Sequence, residues 1–450
     1  MKRTSVMKRT SVVVFVAALA AMSCSGEAPE SQSGAPSASV ATAGVGGAAG
    51  VGGAAGAGGA DEPTSGAGGS AETMGSGGSN GLVTSSKWSS GALPTPLPSK
   101  SKLLPLPGGG TGDPVFTSNN PEVFHGNGLL YGTGHPSPTR GGDSFPMSGD
   151  FGVYLHHLNQ SGKTKVVTLM VTNPGNQPVT VSAEGSGYNQ TETGGLALNS
   201  SPDFFVSKEW LLGDYATNVS ATTLPPLKPL AIWQKQVKHN AEIDGRFVVH
   251  ASGPVFTYLV VTDTTDLNDA IKVYKLDAPG IIAKSGNPPP PFGREAGVYA
   301  HDTWRGTIRA EVPGPSQHVG FAVNTATGLG YPQVQAFEAL THFSDSAAEA
   351  VGMYGNVYDL DVELSHDGEG SSPRKVRVVF ASLVTADISR YWDGVGLVDG
   401  KEVILTHTPK SPTTTLAEVT LKPGEKRKLR FRAMVPGLAS IPQAIYLVSY

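Results

Sequence analysis

The sequence predicts an all-β protein: two tandem antiparallel β-sandwiches of immunoglobulin-like type behind a disordered glycine-rich tether. Three observations predict it. Segments such as "RFVVHASGPVFTYLVVT" and "NVYDLDVEL" are rich in β-branched and aromatic residues and alternate with period 2, while convincing helical periodicity is missing. A long early stretch of glycine, alanine and serine holds almost no large apolar side chain. A proline run, "SGNPPPPFG" from Ser285 to Gly293, divides the rest into two halves of domain size, since no central strand accommodates it.

The chain opens with Lys2, Arg3, Lys8 and Arg9, followed by eleven apolar residues from Val12 to Met22 and then Ser23-Cys24. Basic, apolar and small-residue segments in that order make a signal peptide over residues 1–23. The apolar run is short of the roughly 20 residues a spanning helix needs. "MKRTSV" occurs twice, so Met7 is an alternative start. Cys24 is the only cysteine in 450 residues. Ordinary cleavage after Ala21-Met22-Ser23 would leave an unpaired thiol at the mature N-terminus, which an oxidising compartment disfavours. "AMSC" resembles the lipobox of bacterial lipoproteins, with Ala21 where that family prefers leucine. The resemblance implies lipidation of Cys24 and an anchor in the bacterial cell envelope. Ser25, where an Asp would favour the inner membrane, points to the outer one; plain secretion is the alternative. Each buried methylene contributes about 0.8 kcal/mol, so two or more acyl chains hold stably.

Residues 24–112 read as the tether. "GVGGAAGVGGAAGAGGA" and "SGAGGSAETMGSGGSNG" cannot bury enough surface to offset their ordering entropy. A Gly-rich coil of about 75 residues spans roughly 45–50 Å. "LPTPLPSKSKLLPLPGGG" then stiffens it toward polyproline geometry.

The first sandwich is expected over 113–284, the hinge over 285–296 and the second sandwich over 297–450. "KVVTLMVTNPGNQPVTVSAEG" reads as a strand, a turn at Pro174-Gly175-Asn176 and a returning strand. "RFVVHASGPVFTYLVVT" reads as a strand pair punctuated by Gly253-Pro254. "KVRVVFASL" and "KRKLRFRAMV" continue the alternation in the second half. The halves rhyme, "PPLKPLAIWQKQVK" against "LKPGEKRKLRFRAMV", which suggests duplication.

"DPVFTSNNPEVFHGNGLLYG", "GVYLHHL", "VTNPGNQPVTV", "REAGVYAHDTW" and "YGNVYDLDVELSH" together resemble an uncharacterised secreted bacterial family, catalogued as a domain of unknown function and best known from cyanobacteria. The resemblance covers about 113–450. It implies one two-part unit and carries across no activity or catalytic residue.

Candidates for chemistry are few. Adjacent residues on a strand face opposite ways, so His156 and His157 cannot share one metal; one buried and one exposed imidazole is the expectation. No metal and no cofactor is expected, because no zinc motif supplies convergent ligands. Asp263, Asp266 and Asp269 lack the glycine of a calcium loop and read as turn caps. Tyr391 and Trp392 offer an aromatic platform for a sugar ring, against packing at a loop's base. In "YDLDVEL", Asp359, Asp361 and Glu363 share one face; a salt-bridged ladder is expected, with Lys375 and Arg377 opposite them in a hairpin and Lys428, Arg430 and Arg432 flanking.

Lys and Arg number 33 against 37 Asp and Glu, and removing the four leader cations leaves 29 against 37, a net charge of −8. That balance argues against nucleic-acid binding, which normally needs a clustered basic face. The expected function is a lipid-anchored envelope protein of structural or adhesive type, with an envelope glycan or protein as partner. A glycan-processing hydrolase or carbohydrate-binding protein is the alternative.

Overall fold

In the computed structural model the described residues are 81–97, 102–281, 294–325, 330–368, 370–385 and 388–450. The signal, Cys24, residues 24–80 of the expected tether and the proline run lie outside them.

The first sandwich is organised by one 21-residue strand, Glu242–Thr262. Its first half pairs antiparallel with Met147–Asn159 on one side and Val179–Asn189 on the other. Its second half pairs with Gly128–Gly132 and Lys165–Thr172 in the opposing sheet. The register breaks between Ala251 and Val255, around Gly253-Pro254. Proline has no N–H to give the ladder and glycine tolerates the bend, so the strand changes sheets there. The two strands expected at this point are thus one bent strand. Lys165–Thr172 and Val179–Asn189 form as expected, but they enter opposite sheets. Asn173 pins the turn between them: its Nδ2 donates to Gln177 O (2.7 Å) and Leu224 O (3.0 Å), and its Oδ1 accepts from Gly175 N. The enclosed core gathers Val153, Leu155, Leu169, Val171, Phe247, Val249 and Val260.

The second sandwich has two six-stranded sheets. In one, Val357–Ser365 lies between Lys426–Met434 (antiparallel) and Thr303–Glu311 (parallel). In the other, Gln443–Ser449 lies between Gln317–Val323 and Arg374–Ser382. The architecture is all-β as expected, with parallel pairs among the antiparallel ones.

Two departures link the halves. Residues 83–97 and 102–111, expected in the tether, are folded into the second sandwich: Ser89–Ser90 pairs with Gln317–Val323, Leu103–Leu104 runs parallel to it, and Gly109–Thr111 extends the other sheet. Val83, Trp88 and Leu106 are buried in its core, and Trp304 Nε1 donates to Pro107 O. "GLVTSSKW" and "KLLPLP" hold the apolar side chains the glycine repeats lack, which is why order begins there. Conversely, Ala296–Tyr299 and Ala339–His342 extend a sheet of the first sandwich, next to Val115–Ser118. Phe343 packs edge-on against Tyr131, and Arg140, buried, pairs with Asp345 at 2.8 Å. The whole forms one unit, Gly75–Tyr450.

Two helices interrupt the strands, α1 (Pro202–Leu212) and α2 (Leu267–Val273). The first is delimited by an N-cap, Ser201, whose side chain accepts from Phe204 N, by Pro202 in its first turn and by Gly213 at φ 71°.

Trp88→Ala is expected to cost about 3–5 kcal/mol, the range for removing a buried indole from a packed core. Urea denaturation of the full chain measures this; a loss below about 1 kcal/mol would mean that residues 83–97 and 102–111 only rest on the surface.

Candidate functional site

The pairing of Met147–Asn159 with Glu242–Thr262 sets the site. In this register His156 lies opposite Asp244, Tyr154 opposite Arg246 and Leu158 opposite Glu242. Because side chains alternate, Tyr154, His156, Glu242, Asp244 and Arg246 share one face, while Val153, Leu155, Ile243 and Phe247 enter the apolar core. The polar face is covered too. Helix α1 lays its first turn over it and brings in Asp203; Gly437 and Leu438, from the second half, close over the top.

The result is a buried knot of one imidazole and three carboxylates. His156 Nδ1 lies 3.2 Å from Asp244 Oδ1 and 3.7 Å from Asp203 Oδ1. One ligand atom from each of His156, Asp203 and Glu242 falls within 4.8 Å of the other two. All four residues are at most 4% exposed. Asp203 Oδ1 accepts from Leu438 N at 3.2 Å. Asp203 Oδ2, Glu242 Oε1 and Asp244 Oδ2 make no hydrogen bond of ordinary geometry among the described residues, although the Tyr154 hydroxyl approaches Asp244 and the Asp203 and Glu242 carboxyls approach each other. Gly437 is required here: a Cβ on it would sit 2.2 Å from His156 Nδ1 and 2.7 Å from Asp203 Oδ1.

Electrostatics follow from burial. Burial raises Glu242 well above the carboxylate range and Asp244 to about 6, with the Asp203 charge adding to both. Burial pulls His156 down, but the Asp244 hydrogen bond and the charges of Glu242 and Asp203 outweigh it and raise the imidazole to about 9. Such a group of carboxylates must hold protons or a cation, because bare buried charge is costly. Arg246 is committed elsewhere: it pairs with Asp302 (3.2 Å), donates to Gly355 O and Phe247 O, and stacks on Trp210.

Several sequence expectations change. His156 and His157 do face opposite ways, but both are buried, since both faces of their strand are covered. His157 Nδ1 donates to Pro121 O and Nε2 accepts from Ser118 Oγ; burial lowers it to about 3, which makes it a neutral structural imidazole. Tyr391 and Trp392 are buried as well, with Trp392 edge-on to Phe380 at 5.1 Å, so neither ring offers a sugar platform. The next residue, Asp393, accepts from Ser201 Oγ (2.8 Å) and Asn199 N (2.9 Å), which fixes the start of α1. No metal is expected from the sequence, because no motif supplies convergent ligands; the structure brings His156, Asp203 and Glu242, from three separate segments, within 4.8 Å of one another. Asp266 caps α2, Asp269 pairs with Lys272 and Asp263 with Lys165.

The acidic stripe forms its ladder, but with other partners. Arg374–Ser382 lies in the opposite sheet, so the expected hairpin does not form, and Arg377 pairs with Glu418 instead. Arg430 grips both oxygens of Asp359 (2.7 and 2.5 Å), Lys428 meets Asp361 (2.9 Å) and Glu363 (3.8 Å), and Arg309 meets Glu363 (3.0 Å) from the parallel strand.

The family described as "Protein of unknown function (DUF3370)" matches residues 101–200 and 274–395. No curated protein matches the chain. Among solved structures, the N-terminal CBM22-1-CBM22-2 tandem domain of Xyn10C from Paenibacillus barcinonensis is similar over 64% of this chain and 71% of its own, at 8% identity and a TM-score of 0.17. A likeness that low carries no argument.

Burial pushes Asp359 up, but Arg430, with Arg305 and Arg432, outweighs it and holds the carboxyl below its ordinary value. Its stabilisation is therefore present above the ordinary carboxylate pKa and is lost as pH falls through the lowered one. Asp359→Asn is expected to cost about 1 kcal/mol at neutral pH, less in high salt and nothing in strong acid. Denaturation at several pH values and salt concentrations reads this out; a salt-independent loss would assign Asp359 to packing.

Proposed function

This chain carries a domain of the family described as protein of unknown function (DUF3370), and on that premise we propose a lipid-anchored, non-catalytic protein of the bacterial cell envelope whose double sandwich serves as a structural or adhesive head. The observation that carries this reading is the pairing of Ser89–Ser90, Leu103–Leu104 and Gly109–Thr111 into the sheets of the second sandwich. A pull from Cys24 would reach the head at those strands. It meets Gln317–Val323, which is itself paired with the C-terminal strand Gln443–Ser449. Force thus enters at the edge of a sheet, on a strand whose other neighbour, Gln443–Ser449, comes from the far end of the chain. That arrangement suits a head held under load at the outer membrane, and the net charge of −8 suits an aqueous compartment. The partner class is an envelope glycan or protein.

A glycan hydrolase needs two carboxylates facing each other across an accessible gap of about 5–10 Å. Of the carboxylates that cluster in this head, Asp203, Glu242 and Asp244 are packed into one buried knot, and Asp359, Asp361 and Glu363 are paired with Arg430, Lys428 and Arg309; both arrangements support the non-catalytic reading.

Metabolic labelling with a palmitate analogue is expected to mark the wild-type protein, and Cys24→Ser to remove both the label and membrane association. Equal labelling of the variant would sink the anchor. Incubated with envelope glycans, the full chain is expected to retain them without releasing shortened products; released products would sink the non-catalytic reading.

A further inference from the structure

We propose that His156, Asp203 and Glu242 hold one divalent first-row transition-metal ion, with Asp244 as a fourth donor, and that this ion fastens helix α1 to the strands Met147–Asn159 and Glu242–Thr262 of the first sandwich.

The donor geometry is the first argument. Donors each 2.0–2.2 Å from a tetrahedral ion lie about 3.4 Å apart. The spacings of His156 Nδ1 to Asp244 Oδ1 and Asp203 Oδ1, 3.2 and 3.7 Å, bracket that edge. Glu242 completes the set, with one ligand atom within 4.8 Å of those of His156 and Asp203. The second argument is independent: fully buried polar groups normally have partners. Here Asp203 Oδ2, Glu242 Oε1 and Asp244 Oδ2 make no hydrogen bond of ordinary geometry among the described residues; their near neighbours are the Tyr154 hydroxyl and one another. Three such oxygens in one buried spot are what an ion would satisfy. Charge is the third. The knot gathers three carboxylates around one imidazole, and Arg246, two residues from Asp244, is taken by Asp302.

The donor types choose the ion. Calcium and magnesium prefer all-oxygen shells. One imidazole nitrogen with carboxylate oxygens suits zinc or manganese. The ion would displace the proton from His156 Nδ1, and the three segments that supply donors would become cross-linked without a disulfide. The reading is separate from the envelope role proposed above and does not depend on it.

The test uses the full-length chain purified in detergent without added chelator. Metal analysis is expected to find about one zinc or manganese per chain. After stripping with EDTA, titration with Zn²⁺ and with Mn²⁺ is expected to restore one tight site and raise the thermal midpoint, as any ligand selective for the native state does. His156→Gln and Asp203→Asn, checked for sheet content by circular dichroism, are expected to weaken binding at least tenfold. Should either variant fail to fold, X-ray absorption of the wild-type zinc form decides, with one imidazole and oxygen donors expected. A stripped wild-type chain that binds neither ion would overturn the proposal and leave a proton-sharing network. Full loading of folded His156→Gln, or a shell with sulfur or several imidazoles, would overturn it as well.

Discussion

The backbone hydrogen bonding of Glu242–Thr262 is the constraint on which the rest of the first half depends. One strand cannot change sheets without a break in its ladder, and Ala251 to Val255 supplies that break. Upstream of the bend the strand pairs with Met147–Asn159 and Val179–Asn189; downstream it pairs with Lys165–Thr172 and Gly128–Gly132. Because the inner side of its first half is filled by the apolar core, the acids at 242 and 244 and the arginine at 246 must take the outer side. An outer side so charged and yet buried needs a polar lid. Helix α1 and the Gly437 loop are that lid, and Asp393 holds the helix start from the second sandwich.

The two sandwiches share strands in both directions. The segment before the first sandwich completes the second, and two short strands from the second half complete a sheet of the first. Relative motion of the halves would break ladder hydrogen bonds and expose Phe343 and Trp88, not merely slide two surfaces. Ordinary inter-domain contacts are more polar and permit motion by default. Here the backbone itself crosses the boundary.

The strands were legible because period-2 alternation is a local signal: "VYDLDVEL" and "KRKLRFRAMV" announce their own faces. The bend at Gly253-Pro254 was visible as punctuation but not as continuity, since a bulge and a turn use the same residues. Helix α1 had its signals, Ser201-Pro202 before it and Gly213 after it, though its interior lacks a clean apolar stripe. The knot was hidden for a different reason. His156, Asp203 and Glu242 lie in three distant segments, and only the strand register and the helix position bring them together. The one local hint was Glu242 and Asp244, two apart at the start of an apolar strand, where acids on a buried face need an explanation. For residues 83–97 and 102–111, the scattered Val83, Trp88 and Leu106 outweighed a composition dominated by glycine, serine and proline.

The route of the chain also dictates an order of assembly. Ser89 is paired with His318, and Gln317–Val323 needs Gln443–Ser449 as its other neighbour. A chain emerging N-terminus first, from a ribosome or a membrane pore, therefore presents its early strands long before their partners exist. The first sandwich can gather most of its strands by residue 262, but one edge waits for Ala296–Tyr299 and Ala339–His342. The second sandwich must wait for the final strand. Contacts this distant in sequence close slowly. The second sandwich thus stays open until Gln443–Ser449 is available to pair with both of its neighbours.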